Sequence, residues 1–313
     1  MASGFSHTPV LLKEVLEALR VRPGGRWVDG TCGGGGHSEA ILAASSPGGW
    51  LWACDQDGDA IEAARARLAR FEGRFELRRM NFSELAGWVP AGGADGVLYD
   101  LGVSSHQIDT AGRGFSFQMD GPLDMRMDGR GGLTAADVVN TWPASELARV
   151  FWEYGDVRES RRIARAIESE RASRPIESTG RLAALIERVC PRRGQKKHPA
   201  TAPFMALRIV VNGELERLAE GLAGAMRMLR PGGRLAVITF HSIEDRMAKD
   251  FMRGEARDYD VPAGEPDIPE LRRPRAPRAT LVTRRPLLPT EEELQANPRS
   301  RSAQLRVMEK AEA

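Results

Sequence analysis

Apolar positions near the start of the chain recur at helical spacing. Val10, Leu11, Val15, Leu16 and Leu19, with Lys13, Glu14 and Glu17 among them, predict an amphipathic helix over 10–19. Pro23, Gly24 and Gly25 then turn the chain into a short apolar strand at 26–28. Further apolar runs at 50–54, 75–79 and 96–99 read as strands, with helical patterns at 38–42 and 59–71 between them. Strands alternating with helices predict an α/β fold built on a parallel, doubly wound sheet. The alternation stops after Asp100. Residues 101–118 read as loop, because Gly112, Gly114, Gly121 and Pro122 break any helix. From 134 to 189 the signals are mostly helical, over 135–140, 144–154, 157–171 and 179–189, separated by Thr141-Trp142-Pro143, Gly155 and Arg174-Pro175. The sheet pattern resumes with one long helix over 204–229, the turn Arg230-Pro231-Gly232-Gly233 and a fifth strand at 234–240. Two late stretches, 279–283 and 303–308, predict an edge hairpin, and the Pro- and Arg-rich 258–277 a loop or flexible arm. The expected division is therefore 1–104, a helical insertion over 105–203, and 204–313 completing the sheet domain.

The candidate chemistry begins where the first strand ends, at Asp29-Gly30-Thr31-Cys32-Gly33-Gly34-Gly35-Gly36-His37. Strand, glycine loop and helix in that order bring backbone N–H groups and a helix N-terminus against a nucleotide-like ligand, since glycine lacks the Cβ that would block close approach. The dinucleotide pattern G-x-G-x-x-G fits in no frame: from Gly33 its last position is Ser38, and from Gly34 it is Glu39. The P-loop fails too, because Gly36 and His37 stand where Lys and Ser/Thr are needed. S-adenosylmethionine, held by an acidic strand end followed by glycines, is the third reading, and a glycine turn without ligand the fourth.

Other strand ends carry matching groups. In open α/β sheets ligands sit at the carboxyl ends of the strands, where the strand order reverses. Asp55 ends the second strand and suits ribose hydroxyls, Phe82 follows the third and suits an adenine face, and Asp100 ends the fourth, beside the first. Each alone has a structural alternative: Asp55 as a helix cap, Phe82 as core, Asp100 as a turn former. Their agreement at four strand ends favours a single ligand.

Length and charge narrow the class. A chain of 313 residues supports a large core and two domains, and a formal net charge of +2 gives no global polyanion signal. The charge is uneven, however. Six arginines and no acid lie between 271 and 290, and Arg188, Arg192, Arg193, Lys196 and Lys197 form a second basic cluster. Both suit phosphate contact, or a solvated surface. Three widely spaced cysteines, Cys32, Cys54 and Cys190, argue against a disulfide framework or a zinc site and fit a reducing compartment. The charged residues among the first twenty predict no signal peptide, and no segment reaches the ~20 apolar residues of a membrane span, so a cytoplasmic protein is expected.

Longer motifs make the reading specific. Residues 29–38, Tyr99-Asp100-Leu101-Gly102-Val103-Ser104-Ser105, Arg113-Gly114-Phe115-Ser116-Phe117, Asp120-Gly121-Pro122-Leu123-Asp124-Met125-Arg126-Met127, Lys197-His198-Pro199-Ala200-Thr201, Phe240-His241-Ser242-Ile243-Glu244-Asp245-Arg246 and Asn297-Pro298-Arg299-Ser300-Arg301-Ser302 resemble the MraW (also called RsmH) family, as does the opening His7-Thr8-Pro9-Val10-Leu11-Leu12. The resemblance covers nearly the whole chain. It implies a Rossmann-like methyltransferase domain interrupted by a helical domain. It also implies S-adenosylmethionine-dependent methylation of the N4 amine of one cytidine in the decoding centre of small-subunit (16S) ribosomal RNA, in a ribosomal particle. An oligomer is compatible with it. Family cofactor positions carry onto Gly35, Gly36, His37, Asp55, Phe82, Asp100 and Gln107. Cys32, where a bulkier apolar residue is common, and Met205, for a frequent Gln, are departures that touch no expected contact.

The implied chemistry assigns further roles. A cytosine amine is a weak nucleophile, because its lone pair is delocalised into the ring. An oxygen acceptor for one of its hydrogens favours the in-line geometry and takes up developing charge. Asp100, or a backbone carbonyl near it, is the expected acceptor. The sulfonium leaves as a neutral thioether, so no metal is expected. The Asp/Asn-Pro-Pro-aromatic signature of many amino methyltransferases is absent; Asp100-Leu101-Gly102-Val103 stands in its place. The target base must leave its stack. Phe115 and Phe117 are expected either to stack on it or to anchor their loop in the core. His241 and Ser242 are expected to contact substrate, with a structural histidine as the alternative. Arg192, Arg193, Lys196, Lys197 and the arginines over 272–278 would hold RNA phosphates. The rivals are a methyltransferase of other specificity, a nucleotide-dependent oxidoreductase, and a non-catalytic RNA-binding assembly factor.

Overall fold

The computed structural model describes residues 9–192, 194, 197–262 and 264–312. They form two compact units, one from residues 1–102 and 216–313 and the other from 103–215.

The first unit is built on a seven-stranded sheet. Its strands are β1 (Arg26–Asp29), β2 (Trp50–Asp55), β3 (Phe75–Arg79), β4 (Ala94–Asp100), β5 (Leu229–Thr239), β8 (Ala279–Leu281) and β9 (Gln304–Lys310), in the order β3-β2-β1-β4-β5-β9-β8. The first five are parallel, and β9 and β8 add antiparallel to the edge. Side chains alternate between the faces. Trp27, Leu98 and Ile238 pack with α1 (Leu12–Ala18), α2 (Gly36–Ala44) and α3 (Gly58–Leu68) on one side. Val28, Tyr99 and Val237 pack with α10 (Glu214–Met228) and α11 (Ser242–Glu255) on the other. Both faces are therefore covered, as the near-continuous apolar runs require. The chain winds outward from β1 through β2 to β3, then returns to lay β4 on the other side of β1. That reversal opens a crevice over the carboxyl ends of β1 and β4.

The second unit holds α4 (Ser105–Asp109), α5 (Ala135–Thr141), α6 (Ala144–Gly155), α7 (Ser160–Ser173), α8 (Thr179–Val189) and α9 (Thr201–Asn212). Its core is its own: Val138, Phe151, Ile163, Ile167, Ile186 and Leu207 are buried together. Among the described residues, no helix is long and apolar enough to cross a membrane.

Several expectations need correction. The single helix over 204–229 is two helices, broken at Gly213, whose backbone (φ 57°, ψ 38°) is left-handed and caps α9. Glycine accepts that conformation without the Cβ clash other residues meet. Because α9 packs on α5 and α6, it belongs to the helical unit, and the second boundary falls at 215/216 rather than 203/204. The expected turn at 230–233 lies inside β5, where pairing jumps from Ala94–Leu229 to Gly96–Arg234, so the Pro-Gly-Gly tract makes an irregularity in a longer strand. The loop expected over 101–118 contains α4. The 258–277 arm carries a short ribbon, β6 (Tyr259–Asp260) paired antiparallel with β7 (Arg273–Pro274).

Candidate active site

The glycine loop is fixed from below by two aspartates. Asp29 is fully buried at the end of β1, where it accepts hydrogen bonds from Ser38 Oγ (2.7 Å) and the Thr31 N–H (3.2 Å). Burial raises its carboxyl above the usual carboxylate range, and the Ser38 bond works against that rise. Asp55, at the end of β2, accepts the Gly33 N–H and the Asp57 N–H, each at 2.9 Å. Burial pushes its pKa up to about 6 even though those two bonds favour the ionised form. Asp57 in turn caps α3 by accepting the Asp59 N–H at 3.0 Å. The expected cap role thus falls to Asp57, while Asp55 ties the tip of the glycine loop to the neighbouring strand. Gly35 stands at φ 83° as the N-cap of α2, the left-handed residue that swings the chain from loop into helix.

The fourth strand end joins this loop. The Asp100 N–H donates to Thr31 Oγ1 at 2.6 Å, and Asp100 Oδ2 lies 3.5 Å from His37 Nε2. Both ring nitrogens of His37 and Oδ1 of Asp100 are buried with no hydrogen-bond partner among the described residues. Buried polar atoms are seldom left unpaired, because each forfeits its bonds to water. Three such atoms side by side, over the crevice, mark a place shaped for a polar ligand. The thiols of Cys32 and Cys54 are pushed well up by burial and are poor nucleophiles.

Phe82 follows β3 and is half-buried. Its ring packs on Tyr99 at 5.0 Å between centroids and closes over Gly221 of α10. Tyr99 is itself pinned, its hydroxyl donating to the Gly221 carbonyl at 2.9 Å. Phe82 is therefore a rigid platform at the crevice side of the unit. Thr31 and Ser38 escaped the sequence reading. Their signal was two hydroxyl residues after Asp29, Thr31 in the loop and Ser38 in the first turn of α2, which only spatial contact turns into roles.

The remaining predicted residues fall elsewhere. His241 is the N-cap of α11. Its Nδ1 accepts the Glu244 N–H at 3.5 Å, and its Nε2 lies 3.0 Å from Glu244 Oε1. Glu244 is buried and also accepts the Phe240 N–H at 3.0 Å. Both histidine nitrogens thus face one glutamate, although Nε2 makes no hydrogen bond among the described residues, and Ser242 is exposed. In the helical unit, Gln107 is buried in a capping box with Ser104: Gln107 Oε1 accepts the Ser104 N–H at 3.0 Å and Ser104 Oγ accepts the Gln107 N–H at 3.2 Å. Phe117 sits against His198 (4.6 Å) and Phe204 (4.8 Å), and Phe115 packs on the same core, so both anchor their loop. Arg192 pairs with Glu187 at 2.9 Å and Lys197 is exposed; Arg193 and Lys196 lie outside the described residues. Along 272–278, Arg272 pairs with Asp267, Arg275 with Asp260 and Arg278 with Glu255, and Arg273 is exposed. Most of that basic run is thus neutralised by nearby acids.

Comparison with known proteins places the chain in a family. A family model described as the MraW methylase family matches residues 4–311. The chain is 51% identical to the ribosomal RNA small subunit methyltransferase H of Thermomicrobium roseum, over 97% of this chain and 94% of that one. It is also 51% identical to the protein of the same name from Symbiobacterium thermophilum, over 99% and 98%. For the protein of that name from Syntrophotalea carbinolica the identity is 50%, over 97% and 98%.

Proposed function

This chain belongs to the MraW methylase family, and from that premise we propose that it transfers a methyl group from S-adenosylmethionine to the N4 amine of one cytidine in the decoding centre of 16S ribosomal RNA. On this reading the reaction takes place on a ribosomal particle in the cytoplasm. The observation that carries it is the group of unpaired buried atoms on His37 and Asp100, set against a glycine loop at the sheet reversal.

The residues present suit the donor. The Gly36 N–H and the positive end of α2 are available to the donor's carboxylate, while Gly35, whose N–H donates to the Cys32 carbonyl at 2.7 Å, supplies the left-handed turn. His37 can bond a polar atom of the donor through either nitrogen. Asp55, already holding the loop, has lone pairs left for ribose hydroxyls. Phe82 offers one ring face to adenine. Gln107 is a cofactor position by family resemblance, and its side-chain oxygen accepts the Ser104 N–H at the start of α4. When bound, S-adenosylmethionine supplies an activated methyl group whose carrier departs uncharged.

Asp100 does the chain's own work on the acceptor. Its main chain is fixed to Thr31 and its Oδ1 is buried and unsatisfied, so the oxygen is oriented before substrate arrives. Accepting a hydrogen bond from the cytosine amine biases the nitrogen toward pyramidal geometry and stabilises the positive charge that grows on it as the C–N bond forms and the S–CH3 bond breaks. The N–H bond then breaks and its proton leaves to solvent, giving the neutral N4-methyl product. Removing the acceptor should cost at least the ~10²–10³-fold that one oriented charge-stabilising group contributes. The test is transfer of labelled methyl to small-subunit particles, with mapping of the modified nucleotide. Asp100→Ala should lose turnover yet fold. Near-normal transfer by that variant would overturn the role of Asp100, and label at any other nucleotide would overturn the assignment of substrate.

A further inference from the structure

Helix α7 carries an arginine ridge that the site described above does not use. Ser160, Ile163, Ala164 and Ile167 are its buried residues and set the direction of the core. At about 100° per residue, Arg161, Arg162 and Arg165 project from the opposite side, and Arg158, in the turn just before the helix, continues the same i, i+3, i+4, i+7 spacing. All four are exposed. The acids of this segment, Glu159 and Glu168, fall on the flanks of the ridge, and Asp156 lies in the preceding turn.

The ridge differs from the basic residues around it. Arg149 is paired with Glu146 and Glu153, Arg181 and Arg188 with Glu170, and Arg192 with Glu187. Among the described residues, the four ridge arginines make no ion pair. Unpaired like charges over two helical turns repel one another, a cost that an anionic partner would reverse. At the same end of the α6–α7 hairpin, in the last turn of α6, the Trp152 side chain stands 56% exposed. An indole left in water costs hydrophobic free energy, and beside cations it forms a stacking platform for a nucleobase. The end of α8 lies near this point too. The Cys190 thiol is raised mainly by burial but also feels Glu159 and Arg162.

We propose that the α7 ridge, with Trp152 at its end, is a docking surface for the phosphodiester backbone and an unstacked base of the RNA substrate, away from the reacting cytidine. The proposal rests on the reading of the protein as a ribosomal RNA methyltransferase. RNA is favoured over a protein partner because planar guanidinium groups recognise phosphate oxygens in pairs, and because the exposed aromatic ring at the same end of the α6–α7 hairpin accepts any base.

The test uses the full-length protein with R161Q, R162Q and R165Q combined, and separately W152A. Binding to protein-free 16S ribosomal RNA is measured across a salt series, with donor affinity and thermal unfolding as controls. The triple variant should bind RNA at least tenfold more weakly at low salt. The slope of log affinity against log salt should fall by about 2–3, roughly one per lost phosphate contact. W152A should weaken binding without changing that slope. Methyl transfer should suffer through KM, with kcat kept at saturating RNA. Unchanged affinity and slope in a folded triple variant, while the parent still methylates small-subunit particles, would overturn the ridge and leave the enzymatic function standing. A defect confined to ribosomal particles, absent on naked RNA, would also overturn it in favour of a ribosomal protein as the partner. A parent protein that binds RNA through the ridge but transfers no methyl to small-subunit particles would support the ridge and overturn the function.

Discussion

A carboxylate that must accept hydroxyl hydrogens works best ionised, and Asp55 is poised where ionisation is in question. Burial holds its pKa at about 6, against the N–H bonds from Gly33 and Asp57 that favour the charged form. Between the ordinary carboxylate range and pH 6 the folded protein therefore holds a proton that the unfolded chain has lost. This group's favourable contribution to folding is complete at low pH and disappears as pH rises through 6. Donor binding has the opposite sign, since ribose hydroxyls select the ionised form. Titration calorimetry should find S-adenosylmethionine affinity constant above pH 7 and declining below pH 6, approaching tenfold per pH unit. Asp55→Asn should bind weakly with no such decline. A wild-type profile flat down to pH 5 would remove Asp55 from the ribose contact.

Between residues and molecule, the hinges of the chain decide what its pattern spells. Gly213 separates α9 from α10 with a left-handed backbone. Gly213→Ala should lower unfolding free energy by about 1 kcal/mol in a urea titration, because an L side chain there meets the following carbonyl. A neutral result would mean that the junction relaxes. The same glycine shows where sequence reading stops. The apolar period is helical on both sides of position 213, so periodicity fuses the two helices, and only the backbone angle separates them. β1, β2 and β4 were legible because each is an apolar run closed by an aspartate, and these closures proved to be the carboxyl edge where Asp29, Asp55 and Asp100 stand. Helix α4 was missed, although Ser104 and Gln107 stand at capping-box spacing, because the glycines after it dominated the reading. His241 was read as a substrate group from its place after β5. Glu244, three residues on, sits against it, and His241 caps α11, an arrangement that spacing suggests and only the spatial contact shows.

At the scale of the whole chain, the helical unit is one uninterrupted segment with a private core. A stretch of that size with its own buried cluster meets the conditions for folding alone. Expressed by itself, 103–215 should show helical circular dichroism and a single cooperative thermal transition. A broad, non-cooperative melt would mean that it depends on the sheet unit. The sheet unit, by contrast, comes from two separate stretches, and their order along the chain has a consequence. Every group proposed to hold the donor within this unit, from Asp29 to Asp100, precedes residue 103. A nascent polypeptide therefore completes β1 to β4 and the glycine loop first. It next adds the helices that carry the arginine ridge, and only afterwards emits β5, β8 and β9. Four neighbouring strands must wait, with one flank of β4 unpaired, until the last third of translation supplies their cover.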